Sequence, residues 1–240
     1  MRFGCCVGSV DQIGILADAG YDFCELPARL VEPFKDDAAA RPALQAIESA
    51  PLRPESFNVL VPAQLPLVGP HVDRDALRTY LQRAFSRMHA LGAEVVVLGS
   101  GGARRIPDDM PRDQALAQLA DSLQLAADEA DRAGIVLALE PLNKGESNVF
   151  NTLGESQAFC EKYGIDNMKL LADLHHIELE HEPFEHVIAD GPLIAHVHVA
   201  DGGRQAPGRG GYDYAGFMAA LRRIGYDKRI SAECSWQDLQ

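Results

Sequence analysis

The stretch Ile135–Asn143 has the sequence IVLALEPLN, in which five apolar residues lead into Glu140 and Pro141 follows. An apolar run of this length, bounded by Gly134 and Pro141, predicts a strand that is buried on both faces, as in a parallel sheet covered by helices. A carboxylate at the end of such a strand is costly to bury unless another group compensates its charge. We therefore expect Glu140 to have a partner at this end of the sheet.

The same pattern returns three times further along the chain. Met168–Asp173 (MKLLAD) ends in an acid, Ile194–Val199 (IAHVHV) carries two histidines, and Arg229–Glu233 (RISAE) ends in an acid. The four strand ends thus offer an oxygen-rich set of candidate metal ligands with one imidazole, which suits Mn²⁺, Mg²⁺ or Co²⁺: Glu140, Asp173, His198 and Glu233. A single glutamate after a strand is most often a helix cap or a solvated loop residue, and His198 alone would be better explained as a hydrogen-bonded core residue, so the metal prediction rests on the four together. His196, on the same face of its strand as His198, is interpreted as a core residue.

Eight strand-like segments alternate with helix-like segments, which predicts an α/β fold, a (β/α)₈ TIM barrel that forms one domain over residues 1–240. The predicted strands are Arg2–Val7, Phe23–Leu26, Pro54–Leu60, Glu94–Leu98, the opening stretch, Met168–Asp173, Ile194–Val199 and Arg229–Glu233. A doubly wound open sheet is the alternative, but a closed sheet lets four successive strand ends face one axis. Only seven residues follow Glu233, so the last helix is expected to be short or absent. A partner subunit in a homodimer or homotetramer could cover the flank that this leaves exposed.

The composition argues against several classes of function. The 240 residues are 47% hydrophobic, enough for a large core, yet no run of about 18 uninterrupted apolar residues predicts a membrane span. The formal net charge is −13 and basic residues are scattered, which disfavours a nucleic-acid partner. The N-terminal sequence MRFGCCVGSVD lacks the apolar core of a signal peptide, and the five cysteines form no CxxC pair. We therefore expect a cytoplasmic protein that acts on a small molecule.

Five short motifs surround the strand ends within Ile135–Trp236. They are EPLNKGE (Glu140–Glu146), DLHH (Asp173–His176), HVHVADGGR (His196–Arg204), PGRGGYDY (Pro207–Tyr214) and AEC (Ala232–Cys234). These motifs resemble those of the sugar isomerase/epimerase superfamily, whose members have xylose isomerase-like TIM barrels. Within it they are similar to the ketose 3-epimerases of the D-tagatose 3-epimerase type.

This resemblance implies a cofactor and a set of site residues. One divalent metal ion would be bound; Mn²⁺ is the first choice, and Mg²⁺, Co²⁺ or Zn²⁺ are the alternatives. The ligands of this ion would be Glu140, Asp173, His198 and Glu233. Three further residues would bind a small sugar substrate: Glu146, His176 and Arg204. The related epimerases are generally longer, and the segments Asn148–Thr152 and Gly99–Pro107 look more like those of shorter superfamily members. The identity of the sugar, and whether it is phosphorylated, is therefore left open.

The chemistry that such a site would perform is a proton transfer next to a carbonyl group. That proton is too weakly acidic for an unaided carboxylate, and a divalent ion that bridges two substrate oxygens stabilises the enediolate that forms. Glu140 and Glu233 would act as the catalytic groups on opposite faces of the substrate. Return of the proton across the plane gives an epimer, and its transfer to the neighbouring carbon gives an aldose–ketose isomer. The prediction is a metal-dependent sugar isomerase or epimerase that acts on a ketose or a related polyol ketone.

Three other functions are weighed against this prediction. A lyase or dehydratase could use the same enediolate and the same metal site. An AP endonuclease-like DNA-repair enzyme of the same barrel type would need three zinc ions, and His71 and His89 are the only histidines in the first half of the chain. A non-catalytic sugar-binding barrel would not need two glutamates beside one metal ion.

The loop after the fourth predicted strand has two interpretations. Gly99–Gly102 could present backbone N–H groups to a phosphate or sugar oxygen, with added charge from Arg104 or Arg105. It could equally be a tight turn followed by solvated arginines.

Overall fold

Eight parallel strands close into a barrel in the computed structural model, which describes residues 1–235. Each strand pairs with the next one along the chain and β8 pairs with β1, so the sheet has no edge. The strands are β1 (Arg2–Cys6), β2 (Phe23–Pro27), β3 (Pro54–Asn58), β4 (Val95–Leu98), β5 (Val136–Leu139), β6 (Met168–Asp173), β7 (Ile194–Val199) and β8 (Arg229–Ala232). The predicted (β/α)₈ TIM barrel is confirmed.

Eight α-helices lie between successive strands of the described chain, two of them between β6 and β7. They are α1 (Ile13–Asp18), α2 (Asp37–Glu48), α3 (Arg74–Leu91), α4 (Arg112–Arg132), α5 (Leu153–Tyr163), α6 (Leu174–Leu179), α7 (Phe184–Ala189) and α8 (Tyr214–Arg223). The prediction about a last helix after β8 falls largely on residues 236–240, which lie outside the described residues. Within residues 1–235, no helix combines the length and the apolar character that crossing a membrane requires. The cytoplasmic location and the homo-oligomer stay predictions.

Apart from small shifts at other strand ends, two elements differ from those expected from the sequence. Strand β3 was expected to reach Leu60 but ends at Asn58, because Val59 has a left-handed backbone with φ of 47°. Helix α6 was not expected, since it is short and carries no clear apolar periodicity. It begins directly after Asp173, whose carboxylate accepts a hydrogen bond from the backbone N–H of His175. That contact is an N-cap, so the last residue of β6 also starts the next helix.

The apolar core is divided between the outside and the inside of the barrel. A large cluster fills the space between strands and helices and includes Val96 and Leu98 of β4. A small separate cluster contains the alternate residues of β4 and lies inside the barrel, since strand side chains alternate between two faces. Its members are Val95, Val97, Ala138, Leu171 and Ala195. The interior on the side of β2, β3 and β8 holds buried polar residues instead: Glu25, Ser56 and Ser231.

Packing around β1 provides a test of this barrel. A Cβ atom at Gly4 would overlap the ring of Phe23, which is fully buried. We expect Gly4→Ala to lower the free energy of unfolding by about 1–3 kcal/mol, because a close-packed ring cannot move aside without strain. Urea denaturation measures the loss. Gly14→Ala is the control, since its added methyl group meets no atom within 4 Å. An equal loss in both variants would contradict the packing explanation.

Candidate active site

Four side chains meet at the rim formed by the carboxyl ends of β5 to β8. Glu140 follows β5, Asp173 ends β6, His198 lies in β7 and Glu233 follows β8. One ligand atom from each of the four lies within 4.8 Å of the others. Parallel strands bring their carboxyl ends to one edge of a sheet, and closure of the barrel turns that edge into a ring. The predicted metal ligands are thus close enough to share one ion, although their assignment as ligands stays a prediction.

His198 lies between two groups of carboxylates. Its Nδ1 atom is 3.3 Å from Glu140 Oε1 and 3.5 Å from Glu233 Oε2. On the other side of the ring, its Nε2 atom is 2.8 Å from Glu25 Oε1. Burial alone would lower the pKa of His198, but the charges of Glu25 and Glu233 raise it well above its ordinary value. The imidazole therefore links the rim of the barrel to a carboxylate in the barrel interior.

Glu25 is the site residue that the sequence analysis missed. It lies in β2, is fully buried and contacts side chains from β3, β7 and β8. Its partners include Ser56, His196, His198 and Ser231. A signal was present in the sequence, because an acid inside the apolar strand FCELP needs partners if it is buried. His196 is buried, as expected of a core residue, and contacts this same carboxylate.

The guanidinium group of Arg204 reaches two of the predicted ligands. Its Nη1 atom donates hydrogen bonds to Glu233 Oε2 and, at 3.2 Å, to Asp173 Oδ2. Its Nη2 atom is 3.0 Å from His176 Nε2 and 3.8 Å from Glu146 Oε1. Burial would lower the pKa of Arg204, but Asp173 and Glu233 raise it above its ordinary value. A charged guanidinium thus compensates part of the carboxylate charge at the rim.

The residues predicted to bind substrate lie in one cluster beside these ligands. The backbone N–H of Asn143 donates to His176 Nδ1 at 3.1 Å, and Asn143 Nδ2 donates to Glu146 Oε1 at 2.8 Å. His176 is buried, whereas the side chain of Glu146 is 47% exposed. With Arg204 these residues form a continuous polar wall, and their contacts with a substrate stay a prediction.

The three rim carboxylates differ in how easily they ionise. Burial raises the pKa of Glu140, and the charge of Glu233 raises it further. Burial opposes ionisation of Asp173 as well, but the charges of His176 and Arg204 lower its pKa below the ordinary value. The pKa of Glu233 is also lowered, since His198 and Arg204 outweigh its burial. The pKa values of Asp173 and Glu233 are lowered, unlike that of Glu140, because the guanidinium of Arg204 contacts these two carboxylates.

A cavity of about 280 Å³ opens beside Glu140 and Glu233. Its walls come from the segments that follow β3, β4 and β5, and Arg204 and Glu146 complete it. The loop Gly99–Gly102 forms one of these walls. This volume is near the lower end for small-molecule sites, which are about 300–1,000 Å³. The site therefore has room for a small ligand next to the four converging side chains.

Arg104 fits neither interpretation offered from the sequence. It is fully buried, and its Nη2 atom donates a 2.8 Å hydrogen bond to the carbonyl oxygen of Glu140. Its Nη1 atom donates to the carbonyl oxygen of Leu98, and its guanidinium lies 5.5 Å from the ring centroid of Phe150. Burial lowers the pKa of Arg104 to about 10. Arg104 thus supports the backbone behind Glu140, while Arg105 is exposed.

Comparison with known proteins finds relatives that are named as sugar epimerases. It is 28% identical over 225 residues to D-psicose 3-epimerase of Agrobacterium fabrum, which covers 91% of this chain and 76% of that relative. It is 27% identical over 244 residues to ketose 3-epimerase of Arthrobacter globiformis, which covers 97% of this chain and 83% of the relative. The crystal structure of D-allulose 3-epimerase from Methylomonas sp. in complex with D-allulose matches with a TM-score of 0.80 at 26% identity, over 98% of this chain and 84% of that chain.

The names of these relatives agree with the isomerase class predicted from the sequence. The family described as xylose isomerase-like TIM barrel matches residues 13–239. This chain therefore belongs to the xylose isomerase-like TIM barrel family.

Proposed function

We propose that this protein is a metal-dependent epimerase or isomerase of ketoses or related polyol ketones. The observation that carries the proposal is the convergence of Glu140, Asp173, His198 and Glu233 beside a cavity of about 280 Å³. A sugar substrate is supported by the relatives, which are named as epimerases of small sugars. The metal, the proton transfer and the roles of individual residues are the parts that need experiment.

The donor set fits a hard divalent cation. Three carboxylates and one imidazole suit Mn²⁺ first, with Mg²⁺, Co²⁺ or Zn²⁺ as alternatives. Carboxylates this close repel one another, and among the lysines and arginines that the structure describes, Arg204 is the one in contact with them. A further positive charge would therefore be strongly attracted. When bound, the ion supplies positive charge to the carbonyl and hydroxyl oxygens of the substrate and stabilises the enediolate.

Glu140 and Glu233 are the residues that we expect to move the proton. They follow β5 and β8, the first and last strands of the ligand set, and both line the cavity. One carboxylate would remove the proton from the carbon next to the carbonyl group, and the other would return it. Return from the opposite face inverts that carbon, whereas return to the neighbouring carbon gives an aldose–ketose isomer. Both outcomes use the same two side chains, so the products of the reaction decide between them.

Arg204, His176 and Glu146 would orient the substrate. Arg204 and Glu146 line the cavity, and His176 lies 3.0 Å from the guanidinium of Arg204. Arg204 can donate hydrogen bonds to sugar hydroxyls and Glu146 can accept them. Contacts of both kinds would hold one carbon of the sugar between the two proton-transferring carboxylates.

Metal content is the first test of the proposal. Protein loaded with Mn²⁺ and freed of excess ion should retain about one divalent ion per chain, measured by mass spectrometry of the elements. Removal of the ion with a chelator should abolish turnover and lower Tm, since an ion that binds only the folded state stabilises it. Restored turnover after Mn²⁺ is added back is the control. About three zinc ions per chain would favour an AP endonuclease-like enzyme instead.

A glycine next to the ligands tests the position of Glu140. A Cβ atom at Gly99 would overlap Glu140 Oε2, so Gly99→Ala should displace that carboxylate. We expect Mn²⁺ affinity to fall at least about 10-fold, measured by titration calorimetry, because one ligand no longer fits the set. Gly154→Ala in α5 is the control, since its methyl group meets nothing within 4 Å. Unchanged affinity in Gly99→Ala would remove Glu140 from the ligand set.

Solvent exchange tests the proton transfer. A screen of free ketoses, sugar phosphates and inososes supplies the substrate, into which the wild type should incorporate deuterium from heavy water. Glu140→Gln and Glu233→Gln should each slow this incorporation at least about 100-fold, because an amide cannot act as a base. Glu48→Gln, at the exposed end of α2, is the control. Retained exchange in both variants would exclude them from the proton transfer, and loss of water from the substrate would assign an elimination.

A further inference from the structure

The interior of the barrel holds a polar network directly beneath the candidate metal site. Glu25 is its centre and is completely buried. Its Oε2 atom lies 2.7 Å from Ser56 Oγ, from Ser231 Oγ and from His196 Nε2. Its Oε1 atom lies 2.8 Å from His198 Nε2. The two serine hydroxyls donate to the carboxylate, and each imidazole also donates to it in the tautomer that carries a proton on Nε2, which compensates the cost of burying its charge.

The two nitrogen atoms of the His198 ring face different carboxylates. Cys6, Glu25 and His198 lie as close together as metal ligands would. However, Ser56, Ser231 and His196 already contact Glu25 Oε2, and His198 Nε2 contacts its Oε1. On the opposite side of the imidazole ring, Glu140 and Glu233 face Nδ1. We therefore expect the ion on the rim side of the ring, where Glu140, Asp173 and Glu233 offer three carboxylates together with Nδ1.

We propose that Glu25 is a positioning residue that holds His198 in the tautomer and orientation in which Nδ1 can bind the divalent ion. A hydrogen bond from Nε2–H to Glu25 leaves the lone pair on Nδ1, and Nδ1 faces Glu140 at 3.3 Å. A carboxylate on the far nitrogen also makes an imidazole a better ligand. This inference rests on the proposed metal-dependent function, and it adds a residue from β2 to a site whose ligands come from β5 to β8.

A purely structural role for Glu25 makes a different prediction. In that case Glu25 would only fill the barrel interior and connect β2 to β3, β7 and β8. Its substitution would then lower the free energy of unfolding without changing Mn²⁺ affinity. Ser231 provides the matched comparison, because it donates to Oε2, whereas His198 Nε2 contacts Oε1. Ser231→Ala removes a hydrogen bond from the same carboxylate and leaves the contact with His198 in place.

The first experiment compares Mn²⁺ affinity in Glu25→Gln, Ser231→Ala and the wild type by titration calorimetry, well below the Tm of each variant. We expect Glu25→Gln to bind Mn²⁺ about 10- to 100-fold more weakly, because a neutral amide holds the imidazole less firmly and no longer enhances its basicity. Ser231→Ala should change the affinity less than about threefold. Wild-type affinity in folded Glu25→Gln, or an equal loss in Ser231→Ala, would overturn the proposal.

The second experiment asks whether Glu25 acts through His198. Asparagine at position 198 can offer an oxygen near the place of Nδ1 but has no N–H group for Glu25 at the place of Nε2. In a double-mutant cycle, Glu25→Gln should therefore have almost no further effect on Mn²⁺ affinity in the His198→Asn background. The same loss in both backgrounds would show that Glu25 acts on the ion by another route and would overturn the proposal.

A measurement on the wild type covers the case in which the Glu25 variant does not fold. In protein loaded with diamagnetic Mg²⁺, nitrogen NMR should show His198 protonated at Nε2, with the signal identified by its loss in His198→Asn. Protonation at Nδ1 would overturn the proposal. If the wild type binds no divalent ion, the metal-dependent function itself is overturned. If the wild type binds the ion and Glu25→Gln binds it equally well, only the role of Glu25 is overturned.

Discussion

Compensation of buried carboxylate charge is the constraint on which the rim of this barrel depends. Glu140, Asp173 and Glu233 crowd one point, and an unpaired buried ion costs several kcal/mol even after the protein relaxes. Without a bound ion, two groups offset this cost: a guanidinium, and an imidazole whose pKa is raised well above its ordinary value. The guanidinium of Arg204 contacts Asp173 and Glu233, while the imidazole of His198 lies between Glu140 and Glu233. These groups therefore stabilise the three carboxylates together, and a divalent cation would compensate the negative charge that remains.

Barrel closure explains why this set can form. Each member follows or ends a different strand, and the strands bring their carboxyl ends to one ring because all of them are parallel. The same closure brings β2 next to the network of β7 and β8 through the barrel interior, where Glu25 meets His196 and His198. The inside of the barrel is thus apolar near β4 to β6 and polar near β2, β3 and β8, and the polar half lies beneath the rim.

The cavity owes its shape to small residues and to a buried arginine. The loop Gly99–Gly102 passes so close to Glu140 that a side chain at Gly99 would overlap the carboxylate. Behind it, Arg104 holds the carbonyl oxygens of Leu98 and Glu140, and so ties the end of β4 to the end of β5. The connection after β4 therefore serves two purposes: Gly99–Gly102 line the cavity, and Arg104 supports the backbone behind Glu140.

The sequence by itself determined the order of strands and helices and the four residues at the ends of β5 to β8. Apolar runs, caps and helix-ending glycines are local signals, and an acid that ends a buried strand is visible in a few letters. Only the tertiary structure decided the contact of Glu25 with His198, which joins positions 173 residues apart, and the burial of Arg104. It also decided the early end of β3, where Val59 takes a left-handed backbone. Such features depend on the register and closure of the whole sheet. The side chains that meet inside a barrel come from strands that are distant in sequence, so local patterns do not reveal their contacts.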